Sequence, residues 1–252
     1  MGKLRGKIAL VTGGATGIGA AITRELAAQG CKIAYHYFRS SPDELARELV
    51  ALGIESFGVQ GDLTREIIVQ QVIQQTVQRF GGLDILVNNT GNLIARHHLA
   101  EMELDFFQKI MAVNVETMML VCKHALPHLQ QAQGASIVNI ASLAGRKGGH
   151  AGSLAYSTAK GAALTFTRSL AAEVAKDGIR VNAVAPGLIL STNFHNTHTT
   201  DESARYTIEH QIPLGRAGNP ADVARAAAYL ASEYDGFITG ATLDINGGQY
   251  MA

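Results

Sequence analysis

The chain has 252 residues, 47% of them hydrophobic and 17% charged, and its 21 Lys+Arg balance its 21 Asp+Glu. A net charge of zero argues against a nucleic-acid groove or an anionic membrane surface as the main partner, and no apolar run approaches the roughly 18 residues that a spanning helix needs. Its two cysteines, Cys31 and Cys122, lie in apolar segments, which fits reduced thiols in a cytoplasmic protein better than a disulfide scaffold.

In chain order, the N-terminus from Met1 to Gly6 shows no apolar signal region, and Gly6 stands where a myristoylation signal wants Ser or Thr. Lys7-Ile8-Ala9-Leu10-Val11 then predicts a strand over 7–11. Thr12-Gly13-Gly14-Ala15-Thr16-Gly17-Ile18-Gly19 follows at once, and the amphipathic stretch after it predicts a helix over 18–29. Further strands are expected over 32–37, 55–60, 84–87, 135–140, 179–185 and 241–245. They alternate with helices over 42–52, 65–80, 103–128, 155–176, 202–210 and 220–232. Strands rich in Val, Ile and Ala, joined by crossovers of helical length, imply a parallel sheet covered on both faces. The expected fold class is α/β, a Rossmann-type doubly wound sheet of seven mainly parallel strands. No linker, repeat or charge block divides it, so one domain over 1–252 is expected. Right-handed crossovers place the ligand crevice at the carboxyl ends of the strands, which is where Thr12, Asp62, Asn88, Ser142 and Pro186 fall.

The spacing Gly13-xxx-Gly17-x-Gly19 between a strand and a helix suits a pyrophosphate. Glycines let the backbone come close, and the helix N-terminus offers free N–H groups and a positive dipole end. Thr16 and Ile18 complete that loop. Tyr156 and Lys160 stand four residues apart in a helical pattern, so both face one side. At roughly 5 Å and an effective dielectric of about 20, the ammonium favours the phenolate by about 3 kcal/mol, or roughly 2 pKa units. That expectation brings the phenol toward neutral pH, where acid–base work is efficient. Alone the pair is common on surface helices; the glycine loop is what gives it meaning.

Taken together, the glycine pattern, Asn88-Asn89-Thr90-Gly91, Asn114, Ser142, Tyr156-xxx-Lys160 and Pro186-Gly187 occur in an order that resembles the short-chain dehydrogenase/reductase family, in its compact branch. The likeness runs from Lys7 to Gly248. It implies a catalytic set of Asn114, Ser142, Tyr156 and Lys160. Tyr156 protonates a carbonyl oxygen during hydride transfer, and Ser142 donates a hydrogen bond to that oxygen. Lys160 also holds the nicotinamide ribose, and Asn114 bends a helix around a water that links Lys160 to solvent. For the cofactor, the resemblance implies contacts from Gly13, Thr16, Gly17, Ile18, Gly19, Asp62, Leu63, Asn89, Gly91, Tyr156, Lys160, Pro186, Gly187, Ile189 and Thr192. Asp62 would accept from the adenine amine; capping a helix that begins near Thr64 is an equally good reading of it. Thr90 departs from the family's usual alanine.

An acidic residue after the second strand selects NAD by bonding the ribose 2′-hydroxyl. Here Tyr37 takes that place, and Arg39 and Ser40 follow. A guanidinium can fork onto a 2′-phosphate, so NADP(H) is favoured over NAD(H). No metal is expected, since the histidine spacings lack an accompanying carboxylate. The substrate loops should be 143–155 and 188–212, with Arg96, Arg146, His150 and His195 as candidate substrate residues. Their polarity suggests a hydroxylated or anionic substrate. The Phe194-His195-Asn196-Thr197 segment and the Asp244-Ile245-Asn246-Gly247-Gly248 tail are similar to those of bacterial sugar-acid and keto-uronate reductases, and also resemble 3-oxoacyl-[acyl-carrier-protein] reductases. Against the latter, Gln130, Gln131 and Ala172 stand where those enzymes carry arginines for an acidic carrier. A non-catalytic NADP-binding regulator on the same fold is the remaining alternative. Apolar residues along 103–128, such as Phe106, Phe107, Ile110 and Met118, exceed what one sheet face would take, and the family implies a homotetramer.

Overall fold

Every strand expected from the sequence forms: β1 (Ile8–Val11), β2 (Lys32–Tyr37), β3 (Ser56–Gln60), β4 (Ile85–Asn88), β5 (Ser136–Ile140), β6 (Arg180–Pro186) and β7 (Thr242–Ile245). The structure is a computed structural model that describes residues 4–232 and 236–251; the reading of the extreme N-terminus, residues 1–3, lies outside them. The strands pair in the order β3-β2-β1-β4-β5-β6-β7, and each pairing is parallel.

Side-chain alternation splits the core between the two faces. Val11, Val87, Val138 and Val184 face one cluster, shared with Ile22 and Leu26 of α1 (Gly17–Ala28), Leu45 and Leu49 of α2 (Asp43–Ala51), and Val223 and Leu230 of α10 (Pro220–Ala231). Leu10, Leu86, Ile137 and Val181 face the other. There they meet Val69 and Val72 of α3 (Glu66–Phe80), Val121 and Leu129 of α5 (Thr117–Leu129), and Val174 of α7 (Leu154–Val174). Both faces being covered, β5 and β6 are buried at every position, the condition under which a strand reads as a continuous apolar run.

Two departures from the expected helices bear on the site. The single helix expected over 103–128 is α4 (Leu104–Met111), a π-helical stretch Ala112–Glu116, and then α5. The cause is Asn114, whose side-chain amide takes the Ile110 carbonyl at 2.9 Å and so opens the backbone ladder by one residue. Two short helices were not foreseen: α6 (Ala144–Lys147) and α8 (Asn193–His198). The latter starts where Thr192 Oγ1 accepts from the His195 N–H and ends before α9 (Asp201–His210). Both are too short and too polar to leave a periodic signal. Among the described residues no helix is long and apolar enough to cross a membrane.

Candidate active site

The strand order reverses beside β1, and there the crevice opens at the carboxyl ends of β1 and β4. Thr12, just past β1, locks the two loops together. Its Oγ1 accepts from the Asn89 and Thr90 amides at 2.9 and 3.1 Å, while Asn89 Nδ2 donates to the carbonyls of Thr12 and Gly13, each at 3.1 Å. A Cβ on Gly19 would fall inside the Gly13 carbonyl oxygen, so α1 can close on the loop only with glycine there. Thr16 stands at the α1 N-cap without a side-chain capping bond, leaving the first-turn amides to a ligand. Thr90 Oγ1 is buried beside Gly13 without a hydrogen-bond partner. A glycine cradle, an uncapped helix start and an orphan hydroxyl fit a dinucleotide pyrophosphate at this place.

One residue of this region was missed in the sequence. The carbonyl of His36, in β2, accepts from Gly14 at 2.8 Å, its Nδ1 accepts from the Gly13 N–H at 3.2 Å, and its Nε2 bonds the Gly61 carbonyl at 2.9 Å. These partners lie 23 and 25 residues away in sequence, so no local pattern could announce them.

At the adenosine end, Arg39 and Ser40 are exposed, and the Arg39 guanidinium lies over the Phe38 ring at 4.8 Å. Asp62 does not cap α3, whose N-cap is Arg65. It closes a turn by accepting from the Thr64 amide and hydroxyl at 3.0 and 2.7 Å. The Leu63 side chain belongs to the core, leaving only its backbone for a ligand. Gly187 packs on Asn246, where a Cβ would approach to 2.8 Å, and Pro186 ends β6 in the interior. Ile189 and Thr192 are occupied by their own loop. The Ile189 N–H donates to His195 Nε2 at 3.4 Å, and the Thr192 hydroxyl donates to the Ile189 carbonyl at 3.2 Å. The Thr192 side chain nevertheless comes up against Gly17, joining the substrate loop to the glycine loop.

Ser142, Tyr156, Lys160 and Asn114 converge from three places: the loop after β5, α7 and the π-helical stretch. Ser142 follows β5; its Oγ accepts from the Ala144 amide at 3.1 Å, and its hydroxyl faces the Tyr156 phenol and favours its ionised form. Lys160 is 5% exposed and donates to the Ile140 carbonyl at 2.9 Å, with its ammonium 5.7 Å from the Tyr156 ring centre. Asn114 Nδ2 also donates to the Asn92 carbonyl at 2.8 Å, and its Oδ1 accepts the Asn92 amide at 3.1 Å. Gly91 lets these groups meet: a Cβ there would lie 2.6 Å from Asn114 Oδ1 and 2.9 Å from Lys160 Nζ.

The electrostatics differ from the sequence expectation. Burial pushes the Tyr156 phenol up to about 12, only partly opposed by the Ser142 hydrogen bond, and burial pulls Lys160 down to about 8. The expectation weighed the charge pair and omitted the cost of taking each ion out of water, which here exceeds it. Without a ligand, the tyrosine is therefore held as the neutral acid.

The substrate loops close over this group. Phe194 of α8 lies 5.7 Å from the Tyr156 ring, flanked by the His195 and His198 rings at 5.1 Å each. Arg96 bridges the two loops, donating to the Ala151 and His198 carbonyls at 3.3 and 3.2 Å. The charges of Arg96 and Lys147 hold His150 below its usual range, behind burial as the main cause. Burial, then His198, Arg96 and His150, push His195 down to about 4. The loops thus carry the Arg96 charge beside imidazoles kept neutral. Two substrate candidates are corrected. Arg146 forks onto Asp244 at 3.0 and 2.9 Å and stacks on Tyr250, so it binds the C-terminal segment. His195 braces α8, using Nε2 for Ile189 and Nδ1 for the Thr199 hydroxyl at 2.9 Å.

With this geometry in hand, the likenesses to known proteins are informative. A family model described as enoyl-(acyl carrier protein) reductase matches residues 13–249. An uncharacterized oxidoreductase of Bacillus subtilis, YhdF, is 36% identical over 253 residues, covering 100% of this chain and 86% of the relative. A 3-oxoacyl-[acyl-carrier-protein] reductase of Staphylococcus epidermidis is 35% identical, covering 97% and 99%. Among solved structures, a blue fluorescent protein from a metagenomic library in complex with NADPH matches with a TM-score of 0.90 at 34% identity, covering 99% of this chain and 100% of its own. An NADH-dependent reductase responsible for alginate metabolism matches with a TM-score of 0.89 at 31% identity, covering 99% of each.

Proposed function

The chain belongs to the short-chain dehydrogenase/reductase family and is an NAD(P)(H)-using oxidoreductase; from that premise we propose that it is an NADPH-preferring reductase of an anionic keto-sugar, a sugar acid or keto-uronate. The observation that carries the reading is the Arg96 guanidinium on the loops over Tyr156, with the His150 and His198 imidazoles beside it held neutral by burial and by that charge. A substrate carboxylate would satisfy it. The likeness to a reductase of alginate metabolism supports the sugar-acid part of this reading, while that neighbour's NADH dependence runs against the NADPH part.

The nicotinamide cofactor, when bound, supplies the hydride. Tyr156, held protonated by burial, gives its proton to the carbonyl oxygen as charge develops there. Ser142 donates a second hydrogen bond to that oxygen. Lys160, anchored on Ile140, stabilises the tyrosinate left behind. Asn114 fixes the loop of Asn92 against the π-helical stretch and keeps Lys160 in place. Arg39 and Ser40 would take a 2′-phosphate, with no carboxylate in that stretch before Asp43. A homotetramer in the cytoplasm completes the proposal.

A second reading, 3-oxoacyl-[acyl-carrier-protein] reductase, is favoured by the Staphylococcus relative. Against it, Gln130 donates to Asp177 at 2.9 Å, so an acidic group sits where an acidic carrier would dock.

The experiment compares kcat/KM for a keto-uronate, a neutral keto-sugar and a 3-oxoacyl thioester, with NADPH and NADH. The keto-uronate with NADPH should lead. Arg96→Ala should cost it about tenfold, one charge-assisted hydrogen bond, and leave the neutral sugar within about twofold. Arg39→Asp should turn the preference toward NADH. A leading thioester would select the second reading, and a parent that prefers NADH would overturn the cofactor part.

A further inference from the structure

We infer that His36 is a positioning residue for the dinucleotide: its imidazole, oriented by the loop after β3, presets the glycine loop that cradles the cofactor. The inference rests on the family's nicotinamide cofactor alone and is independent of which carbonyl is reduced.

His36 is 2% exposed at the carboxyl end of β2, between two loops that approach the crevice from either side. Its carbonyl and its ring take the amides of two successive loop residues, Gly14 and Gly13. Gly13 has a left-handed φ of 60° and its own carbonyl is held by Asn89. The turn is therefore clamped from β2 on one side and β4 on the other. On its far side the ring bonds Gly61, the residue before Asp62. A backbone N–H can only donate, so Nδ1 must be the bare acceptor; a carbonyl can only accept, so Nε2 must carry the proton. Both bonds form only in that one neutral tautomer. Phosphate binding by backbone amides needs the loop preset, since ordering it on binding would cost affinity.

Two substitutions separate the ends of the ring. Asn reproduces the position of Nδ1 and keeps an acceptor for Gly13, while Gln reproduces Nε2 and keeps a donor for Gly61. Cofactor affinity is read by titrating NADPH, and then NADH, against the fluorescence of the bound dihydronicotinamide, alongside the Tm of the cofactor-free protein. We expect both variants to lose similar thermal stability, each having lost one bond. His36→Asn should stay within about threefold of the parent Kd, and His36→Gln should weaken it about tenfold for both cofactors, with the loss in cofactor KM rather than in kcat. Equal affinities in the two variants, or the reverse order, would overturn the inference. Should either variant not fold, histidine ¹⁵N shifts of the parent protein decide: Nδ1 bare and Nε2 protonated is required, and the opposite tautomer overturns it.

Discussion

Burial draws Tyr156 and Lys160 in opposite directions, one ring kept protonated and one ammonium made easier to discharge. The lysine carries the larger consequence for stability. Its value falls from 10.5 to about 8, which at about 1.4 kcal/mol per unit is a burial cost of about 3 kcal/mol at neutral pH. Below pH 8 the ammonium is charged in both folded and unfolded chains, so the whole cost is present. Between about 8 and 10.5 the unfolded chain holds the proton more tightly, so the parent's stability rises with pH across that window. Lys160→Met removes the cost but leaves the Ile140 carbonyl unpaired, worth about 1 kcal/mol. Urea unfolding at pH 7 should therefore find the inactive variant more stable by about 1–2 kcal/mol, with the gap closing toward pH 10.5. A variant less stable than the parent at pH 7 would show that the ammonium is better compensated than its surroundings suggest. The Tyr156 and Lys160 positions were legible because helical spacing sets them side by side. Their titration was not, because desolvation depends on walls that other segments supply. Arg146 shows the same limit: its partner Asp244 lies 98 residues away, so a guanidinium in a substrate loop read as a ligand when it is a tie.

The helices over 104–129 show how an element can be seen whole and still misread inside. The apolar period gave its extent, and the π-helical stretch at Asn114 was hidden because it depends on side-chain bonds to Asn92 and Ile110. The same helices were expected to carry surplus apolar surface. Much of that surplus is spent internally: Ile110, Met118 and Val121 are buried, and Phe106, Phe107 and Val115 pack around Ala155 and Ala159. Leu104, Met119 and Leu154 remain 67, 39 and 45% exposed on α4, α5 and α7. These three point to the face on which we propose that subunits meet. Light scattering at micromolar concentration should return four times the 26.7 kDa chain mass. The chain mass alone would refute the assembly.

Across the molecule, the parallel sheet brings to one edge residues that are far apart in sequence, from Thr12 to Asn246. Strand and helix alternation makes that arrangement readable in the sequence, where Thr12, Asp62, Asn88, Ser142 and Pro186 all fall at strand ends. What escaped were contacts across the crevice: His36 under the glycine loop, Phe194 over the tyrosine, and Arg96 between the two substrate loops. The site that results has a preset cradle on one side, a buried protonated phenol at its floor and Arg96 with neutral imidazoles above. We propose that its chemistry turns on the Tyr156 proton. Tyr156→Phe, assayed with saturating NADPH and the best substrate of the panel, should lose at least about 100-fold in kcat, the lower range for a positioned general acid. NADPH affinity should stay within about twofold of the parent. A phenylalanine variant that keeps more than about a tenth of the parent turnover would contradict proton transfer from Tyr156.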